Sequence, residues 1–468
     1  MKLDRYLLNQ FLLLTIPAAV ISPFIFSAPL GIQEHAAVEV AGFFQSLSII
    51  KDGFASYTYL SIFESSSGLH LHSLISSLFL FAGVSEAGRL VALIAGSGSS
   101  VLLYIFIKDW FSTKTGILAG SLVWIHPLFI RFSSRWYPES LGILMTLAVM
   151  HAVIKDIDEE GRRYYFLAIC LLSLAITNHL WEASIALPAA VAYYQAKKIR
   201  RSATIIGTTI VVIIIVELIK SYQPSVTSHF QTRSVFYHPE VLLTPNWVFH
   251  WAWGGNLFPT DIFSASIIWT IPVAITLIIL LTIWGWKNQD DRAVTIIAWF
   301  ISGLLVMILL PVGWRGHVYY AWGLLVPSAL AAAIIITEFL SSKLKVHQTQ
   351  AVALAILLLS SGIAGSTLYP ENPAHIYDDG PLSSEKVTQA GHELRKLPNK
   401  DTARIAFRGQ LKNDTGRMRI IQSRILMHAR INIEAITPAQ SEKIIIDEQD
   451  ICDYKVYISD DDLIVSNC

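Results

Sequence analysis

Charged residues are scarce in this 468-residue chain: Asp, Glu, Lys and Arg make up 15% of it, whereas hydrophobic residues make up 53%. Soluble globular domains have about 25% charged residues. This low content excludes a set of water-soluble domains, although a chain of this length would otherwise suggest about three of them. The composition predicts a polytopic membrane protein.

An excess of positive charge is also lacking, because 35 Lys and Arg balance 35 Asp and Glu. Binding to nucleic acid depends mainly on basic side chains that neutralise phosphates, so we expect no nucleic-acid partner. No glycine-rich phosphate loop of the P-loop or dinucleotide type occurs, which argues against a water-soluble nucleotide donor. The three cysteines, Cys170, Cys452 and Cys468, allow at most one disulfide and no thiolate metal site of their own.

Long apolar segments are what the chain has instead. A bilayer core of about 30 Å requires roughly 20 apolar residues in a helix, because lipid cannot satisfy free backbone groups. The first segment is interpreted as a retained helix, because no small-x-small cleavage site precedes Pro29 and further apolar segments follow. The eleven predicted transmembrane segments are residues 7–28, 87–107, 115–132, 138–154, 164–181, 183–196, 203–219, 266–286, 293–311, 321–340 and 350–368.

The apolar stretch at residues 69–83 decides the membrane topology. Its core of about 14 residues would reach only about 21 Å as a helix. If it lies flat on the outer surface, about twice as many Lys and Arg fall inside as outside; if it spans, the bias reverses. We therefore predict an interfacial helix, a cytoplasmic N-terminus, and long outer loops at residues 29–86 and 220–265.

The C-terminal part differs in character. Hydropathy falls after Tyr369, and Pro370, Pro373 and Pro381 indicate a linker. We predict a transmembrane domain at residues 1–368 and a small extracytoplasmic α/β domain at 369–468. The domain's expected strands lie at 404–407, 431–435 and 455–459, with a helix at 417–429. A disulfide between its two cysteines is permitted in an oxidising exterior.

Candidate catalytic residues begin directly after the first apolar segment. Glu34 and Glu39 lie five residues apart, so on a helix their side chains diverge by about 140° and only one faces a shared site. A carboxylate at a membrane boundary suits a general base that takes the proton of an attacking hydroxyl. We interpret Glu34 as that base; the alternative is an interfacial acid without a catalytic role.

Histidines concentrate in the predicted outer loops. His70 and His72 share a face only in an extended segment, and a divalent metal would require further ligands. Residues available to complete such a site are Glu34, Glu64, His250 and His317. A metal site at His70 and His72 is one interpretation, and ordinary polar loops are the other.

A second group of candidates lies between closely connected apolar segments. Arg131 and Arg135, followed by Glu139, can bind phosphate because a planar guanidinium contacts two oxygens at once; the alternative is anchoring to lipid headgroups. The polar run at residues 177–182 contains His179, and polar groups at membrane depth are costly unless they face protein or a water-filled cavity.

Several short motifs occur in the order typical of one superfamily. They are residues 33–41, 70–72, 81–86, 126–131, 135–139, 175–179 and 319–327. In their order and in the topology deduced from charge, the chain resembles the GT-C membrane glycosyltransferases of the protein O-mannosyltransferase and aminoarabinose transferase type. The resemblance covers residues 10–335, is diffuse, and implies an all-α polytopic fold.

The resemblance also implies an activity, namely transfer of a sugar from a polyprenyl phosphate to an acceptor hydroxyl at the outer membrane face. The acceptor class, whether glycan, lipid or protein, stays open. By this resemblance Glu34 is the base, and His70 and His72 assist directly or through a divalent metal. Residues implied to bind the substrates are His70, His72, Arg131, Arg135, Glu139, His179, His250, Arg315, His317, Tyr319 and Tyr320.

The chain departs from the superfamily pattern at three places. Gln33 replaces the first acid of the usual pair and cannot act as a base, two prolines are absent after His70, and Asn178-His179 replaces an expected lysine. Two other function classes remain, a transporter or lipid-linked-glycan flippase and a polysaccharide ligase. A transporter would favour charges inside helices and an internal repeat, and a ligase would concentrate basic residues in a late outer loop.

Overall fold

The computed structural model describes residues 5–27, 42–43, 45–47, 49–50, 65–66, 71–159, 162–221, 227–228, 270–309, 322–339, 345–368, 384–396, 405–408, 425, 454–458 and 463–467.

Helices dominate the described residues, and all eleven predicted apolar segments contain one. The helices are α1 (Arg5–Ser27), α2 (Leu71–Phe81), α3 (Ala87–Trp110), α4 (Thr113–Leu122), α5 (Pro127–Ser134), α6 (Pro138–Glu159), α7 (Arg162–Asn178), α8 (Ala186–Gln195), α9 (Ile199–Ser221), α10 (Thr270–Asn288), α11 (Arg292–Leu309), α12 (Leu325–Phe339), α13 (Val346–Leu368) and α14 (Ser384–Arg395). Short 3-10 helices lie at Val123–Ile125 and Leu180–Ile185.

Four of the described helices are individually long and apolar enough to cross a bilayer: α3, α6, most of α9, and α11. A fifth crossing results if α4, the 3-10 helix after it and α5 count as one broken span. The other apolar helices of the described residues are shorter in their apolar part. The predicted all-helical polytopic membrane fold is confirmed, while the side of the membrane on which each terminus lies stays a prediction.

The predicted single span at residues 115–132 is wrong in one respect, because it bends by 78° near His126 and Pro127. Proline has no N–H to donate and its ring clashes with the preceding turn, so the helix ends and a new one starts at Pro127. His126 has extended backbone, and its ring nitrogen Nδ1 accepts the N–H of Leu128 at 3.2 Å, which caps α5. The bend separates α5, with Arg131, from the direction of α4.

Small residues let the long helices approach closely. The hydroxyl of Ser100 on α3 donates to the backbone carbonyl of Gly120 on α4 at 2.7 Å. A Cβ added at Gly120 would lie 2.7 Å from the carbonyl oxygen of Ser100. Close contact through small residues and interhelical hydrogen bonds is what holds helices together in lipid, where apolar burial gives little driving force.

The short helix α2 corresponds to the predicted interfacial helix. Its 11 residues extend about 16 Å, too short for the bilayer core. Its polar residues His72, Ser73 and Ser76 are buried, whereas Leu78 is 67% and Phe81 80% exposed. The polar face therefore packs on the protein and the apolar face points outward, the reverse of a helix on a soluble protein and the pattern expected beside lipid.

Charged side chains pair at the C-terminal end of α6. Lys155 Nζ lies 3.0 Å from Asp109 Oδ2, and the buried Asp156 pairs with Arg201. Lys198 Nζ also donates to the backbone carbonyl of Asp156 at 2.7 Å. These bonds join the ends of α3, α6 and α9 on the side of the bundle that the charge bias predicts to be cytoplasmic.

The described C-terminal residues form a three-stranded mixed sheet and a helix, α14. Strand β3 (Ile405–Arg408) pairs in parallel with β4 (Tyr454–Ile458), which pairs antiparallel with β5 (Leu463–Asn467); β1 (Ser65–Ser66) and β2 (Thr227–Ser228) form a separate two-residue pair. Two predicted strands correspond to β3 and β4, and β5 was not predicted. The predicted strand at 431–435, Cys452, Cys468 and all of the predicted helix except residue 425 lie outside the described residues.

Candidate functional site

Buried polar side chains gather at one end of the bundle, where α6 begins and α7 ends. They come from α2, α5 and the residue after it, α6, the end of α7, and the 3-10 helix that follows together with the residue before it. Each side chain is at most 7% exposed. We call this group the polar cluster; its members are His72, Arg131, Arg135, Glu139, Asn178, His179 and Glu182.

Asn178 connects three elements of the polar cluster. Its Oδ1 accepts the backbone N–H of His72 at 3.0 Å, and its Nδ2 donates to the backbone carbonyl of Pro138 at 2.9 Å. The start of α2, the start of α6 and the end of α7 therefore meet at one fully buried amide.

Charged and ionisable groups face one another beside this amide. His179 Nε2 lies 3.7 Å from Glu139 Oε1, and an electrostatic attraction links Arg131 to Glu139. The ring of His179 also packs edge-on against Trp181, with centroids 5.5 Å apart. A buried carboxylate needs such positive partners because burial removes its hydration.

Glu182 adds a second buried carboxyl group to the cluster. It is fully buried, and neither of its carboxyl oxygens has a hydrogen-bond partner among the residues that the structure describes. The side chain lies directly against Gly142 on α6, where a Cβ would overlap its carboxyl oxygen Oε1. The absence of a side chain at residue 142 is therefore what lets Glu182 enter the cluster.

We expect Gly142→Ala to destabilise the protein by about 1–3 kcal/mol, because the added methyl group must displace the Glu182 carboxyl. Gly207→Ala on α9 is the matched control, since nothing lies within 4 Å of a Cβ there. In that helix alanine should be neutral or stabilising by up to about 1 kcal/mol. Thermal unfolding of both variants in detergent tests the contact, and equal unfolding temperatures would contradict it.

Trp136 joins the part of the chain after α1 to the segment that carries Arg131 and Arg135. Cβ atoms added at Gly42 or Gly88 would overlap its indole ring, and Phe43 packs edge-on against that ring with centroids 5.9 Å apart. The hydroxyl of Ser46 also donates to the backbone carbonyl of Ser73 on α2 at 2.8 Å. Gly42, Phe43 and Ser46 are therefore anchored beside Trp136 and the start of α2.

Five predicted site residues are buried at this end of the bundle: His72, Arg131, Arg135, Glu139 and His179. Contacts connect His72, Glu139 and His179 through Asn178 or directly, and Arg131 attracts Glu139, whereas Arg135 is placed there by its burial and its position between α5 and α6. Asn178 and Glu182 were not among the predicted site residues, although both belong to the polar run at 177–182 that the sequence singled out. The predicted site residues that lie outside the described part of the chain are Glu34, His70, His250, Arg315, His317, Tyr319 and Tyr320.

The predicted metal site includes one residue that the structure describes, His72. Among the described residues, no three or more His, Cys, Asp or Glu side chains are arranged to hold a metal ion. His72 is buried, and its Nδ1 lies 3.4 Å from the hydroxyl of Ser76. Its predicted metal partner, His70, lies outside the described residues, so this prediction stays open.

The polar cluster lies in the part of the chain that matches a known protein family. Residues 69–219 match the model of a family described as dolichyl-phosphate-mannose-protein mannosyltransferase. This match covers less than half of the chain, but it includes every member of the polar cluster. A search of curated protein sequences found no match.

Solved structures match most of the chain at low identity. ArnT from Cupriavidus metallidurans, bound to undecaprenyl phosphate, is 10% identical with a TM-score of 0.55; the match covers 94% of this chain and 92% of that one. The oligosaccharyltransferase of Archaeoglobus fulgidus, tethered to an acceptor peptide, is 11% identical with a TM-score of 0.51; the match covers 90% of this chain but 63% of that longer one. The chain therefore has the GT-C fold that the resemblance of its sequence implied.

Proposed function

We propose that this GT-C chain is a membrane glycosyltransferase that passes a sugar from a polyprenyl-phosphate donor to an acceptor hydroxyl on the extracytoplasmic face. One observation carries the proposal. Two buried arginines, Arg131 and Arg135, lie with Glu139 and two histidines at one end of a hydrophobic helix bundle. All of them fall inside the region that matches the mannosyltransferase family.

The arginines suit the departing phosphate. As the bond between the anomeric carbon and the phosphate oxygen breaks, negative charge grows on the polyprenyl phosphate, and positive groups preorganised in a water-poor site stabilise it most. A guanidinium is well suited to this task because it is always charged and contacts two oxygens in one plane. Arg315 and His317 are further candidates for the same phosphate.

Glu34 supplies the base in this proposal. It takes the proton of the acceptor hydroxyl while the acceptor oxygen forms its bond to the anomeric carbon on the face opposite the phosphate, which inverts that carbon. Gly42, eight residues after Glu34 in the sequence, lies against Trp136, the neighbour of Arg135. This anchoring of the first loop beside the arginines supports a role for Glu34 near the phosphate.

We also propose the substrate classes of the enzyme, its orientation in the membrane and the residues that contact the substrates. The donated sugar is a hexose or a pentose, and the acceptor is a glycan, a lipid or a protein. We place the protein in the cell membrane with its N-terminus cytoplasmic and its C-terminal domain outside. His70, His72, His179 and His250, with Tyr319 and Tyr320, are proposed to contact the substrates, and His70 and His72 are the candidate ligands for a divalent metal.

The test uses the purified full chain in lipid vesicles with radiolabelled polyprenyl-phosphate hexoses and pentoses and a cell-envelope extract as acceptor. We expect label in the acceptor and an equal amount of unglycosylated polyprenyl phosphate. A transporter would instead move the donor across the vesicle membrane unchanged, and a ligase would require a diphosphate-linked glycan. Either result would overturn the proposal. Addition of EDTA in a parallel reaction tests the metal.

A further inference from the structure

The amide of Asn178 joins α2, α6 and α7 through side-chain hydrogen bonds to backbone groups. The residue is fully buried, and both ends of the amide are used: Oδ1 accepts from the His72 N–H and Nδ2 donates to the Pro138 carbonyl. With the acceptor satisfied at 3.0 Å and the donor at 2.9 Å, both bonds have good length.

The bond to His72 replaces a missing helix partner. The first N–H groups of a helix have no carbonyl one turn earlier to bond, and His72 is the second residue of α2. A buried N–H without an acceptor costs about 1–3 kcal/mol. Asn178 therefore caps α2 from a different helix, which fixes where α2 begins relative to α7.

The two bonded backbone groups stand next to ionisable side chains of the polar cluster. His72 carries one such side chain itself, Pro138 directly precedes Glu139, and Asn178 directly precedes His179. His179 Nε2 and Glu139 Oε1 lie 3.7 Å apart, a distance set by how the start of α6 lies against the end of α7. The Asn178 amide therefore controls the relative placement of the His72, Glu139 and His179 side chains without taking part in the chemistry itself.

We infer that Asn178 is a positioning residue, which aligns His72, Glu139 and His179 by joining the starts of α2 and α6 to the end of α7. This inference rests on the proposed glycosyltransferase function for its catalytic consequence. Misplacement of catalytic groups by about 1 Å can lower a rate about 10²-fold. Loss of the amide should therefore reduce kcat more than it changes the KM for the donor.

The test compares two substitutions with a matched control. Asn178→Leu keeps the approximate volume and removes both hydrogen bonds, whereas Asn178→Asp keeps the oxygen that accepts from His72 and loses the amide N–H donor to Pro138. Thr177→Val is the control, because among the described residues the Thr177 hydroxyl donates to the Ser173 carbonyl of its own helix, at 2.8 Å, and to no other helix. We expect kcat to fall about 10²-fold in Asn178→Leu and to fall also in Asn178→Asp, which adds a third carboxyl group to the cluster, with donor KM within about threefold and the control unchanged.

A second readout does not depend on activity. Spin labels at Leu78 on α2 and Leu174 on α7, both exposed, report the distance between these helices in a chain whose three cysteines are replaced by serine. We expect Asn178→Leu to broaden or shift the distance distribution and Thr177→Val to leave it unchanged. An unchanged distribution with an unchanged kcat overturns the inference, and so does a parallel rise of KM without loss of kcat.

The two arms separate the inference from the proposed function. If the parent protein transfers no sugar, the proposed function fails while the distance measurement still tests the connection between α2 and α7. If Asn178→Leu does not fold, Asn178→Asp decides the question, because one of its two hydrogen bonds remains; wild-type kcat and distances in that variant overturn the inference.

Discussion

The variant Glu34→Gln is expected to lose sugar transfer by about 10²- to 10⁴-fold, the usual contribution of a general base. Glutamine keeps the size and the hydrogen-bonding capacity of the side chain but cannot take up the hydroxyl proton. Expression and thermal unfolding should not change, because only the charge of one loop side chain is removed. Initial rates with a saturating labelled donor, compared with the parent protein, measure the effect.

Glu39→Gln is the matched control for this prediction. It removes the same charge in the same loop, but on a helix its side chain points about 140° away from that of Glu34, so transfer should stay near the parent rate. Gln33→Asp tests the departure from the superfamily pattern, in which an acid stands at this position. Full activity in Glu34→Gln would remove Glu34 as the base, whereas transfer restored by adding Gln33→Asp to Glu34→Gln would show that an acid at position 33 can replace it.

Hydrophobic patterning predicted the helices well because lipid leaves so few alternatives. A backbone in hydrocarbon must satisfy its own hydrogen bonds, so an apolar run such as residues 87–107 has little choice but to form a helix, and α3 spans Ala87–Trp110. The interfacial helix was predicted on a different ground: its short run left both placements open, and the distribution of Lys and Arg favoured the flat one.

The break between α4 and α5 shows what hydropathy misses. Apart from His126, the residues around the bend are apolar or proline. A moving average of hydropathy therefore does not mark the bend. The signal was local and stereochemical: Pro127 cannot continue a helix, and the preceding His126 can cap a new one. The consequence reaches the site, since the bend sets the direction of the helix that carries Arg131.

Site residues were predicted where the residue type alone suggests phosphate or proton chemistry, as for Arg131 and Glu139. Asn178 was missed as a site residue because its importance lies in which backbone groups it reaches, 40 and 106 residues away in the chain. Glu182 was missed because its entry into the cluster depends on the missing side chain of Gly142. Neither contact has a signature in the spacing of a single sequence.

Substitutions of Arg131 are expected to have the second large effect on sugar transfer. They also separate the role of its charge from the role of its planar shape. The Arg131 side chain is 3% exposed and attracts Glu139, which in turn interacts electrostatically with the buried carboxyl of Glu182. Arg131→Met removes the positive charge that attracts Glu139 in a fully buried site, and a buried carboxyl group left without that compensation is destabilising. We expect a lower thermal unfolding temperature and a loss of transfer of about 10²- to 10³-fold, as for removal of one group that stabilises developing charge.

Three further variants show whether the loss of stability and the loss of transfer have the same origin. Arg131→Lys should retain most of the stability because it retains the charge, yet lose transfer because an ammonium lacks the planar fork. Arg131→Met combined with Glu139→Gln should regain stability, since removing both partners is milder than removing one, but it should not regain transfer. Arg163→Met at the opposite end of the bundle, where the side chain is 74% exposed, should change neither quantity. If the double variant recovers transfer together with stability, Arg131 acts only as a structural partner of Glu139 and the phosphate must be bound by other residues.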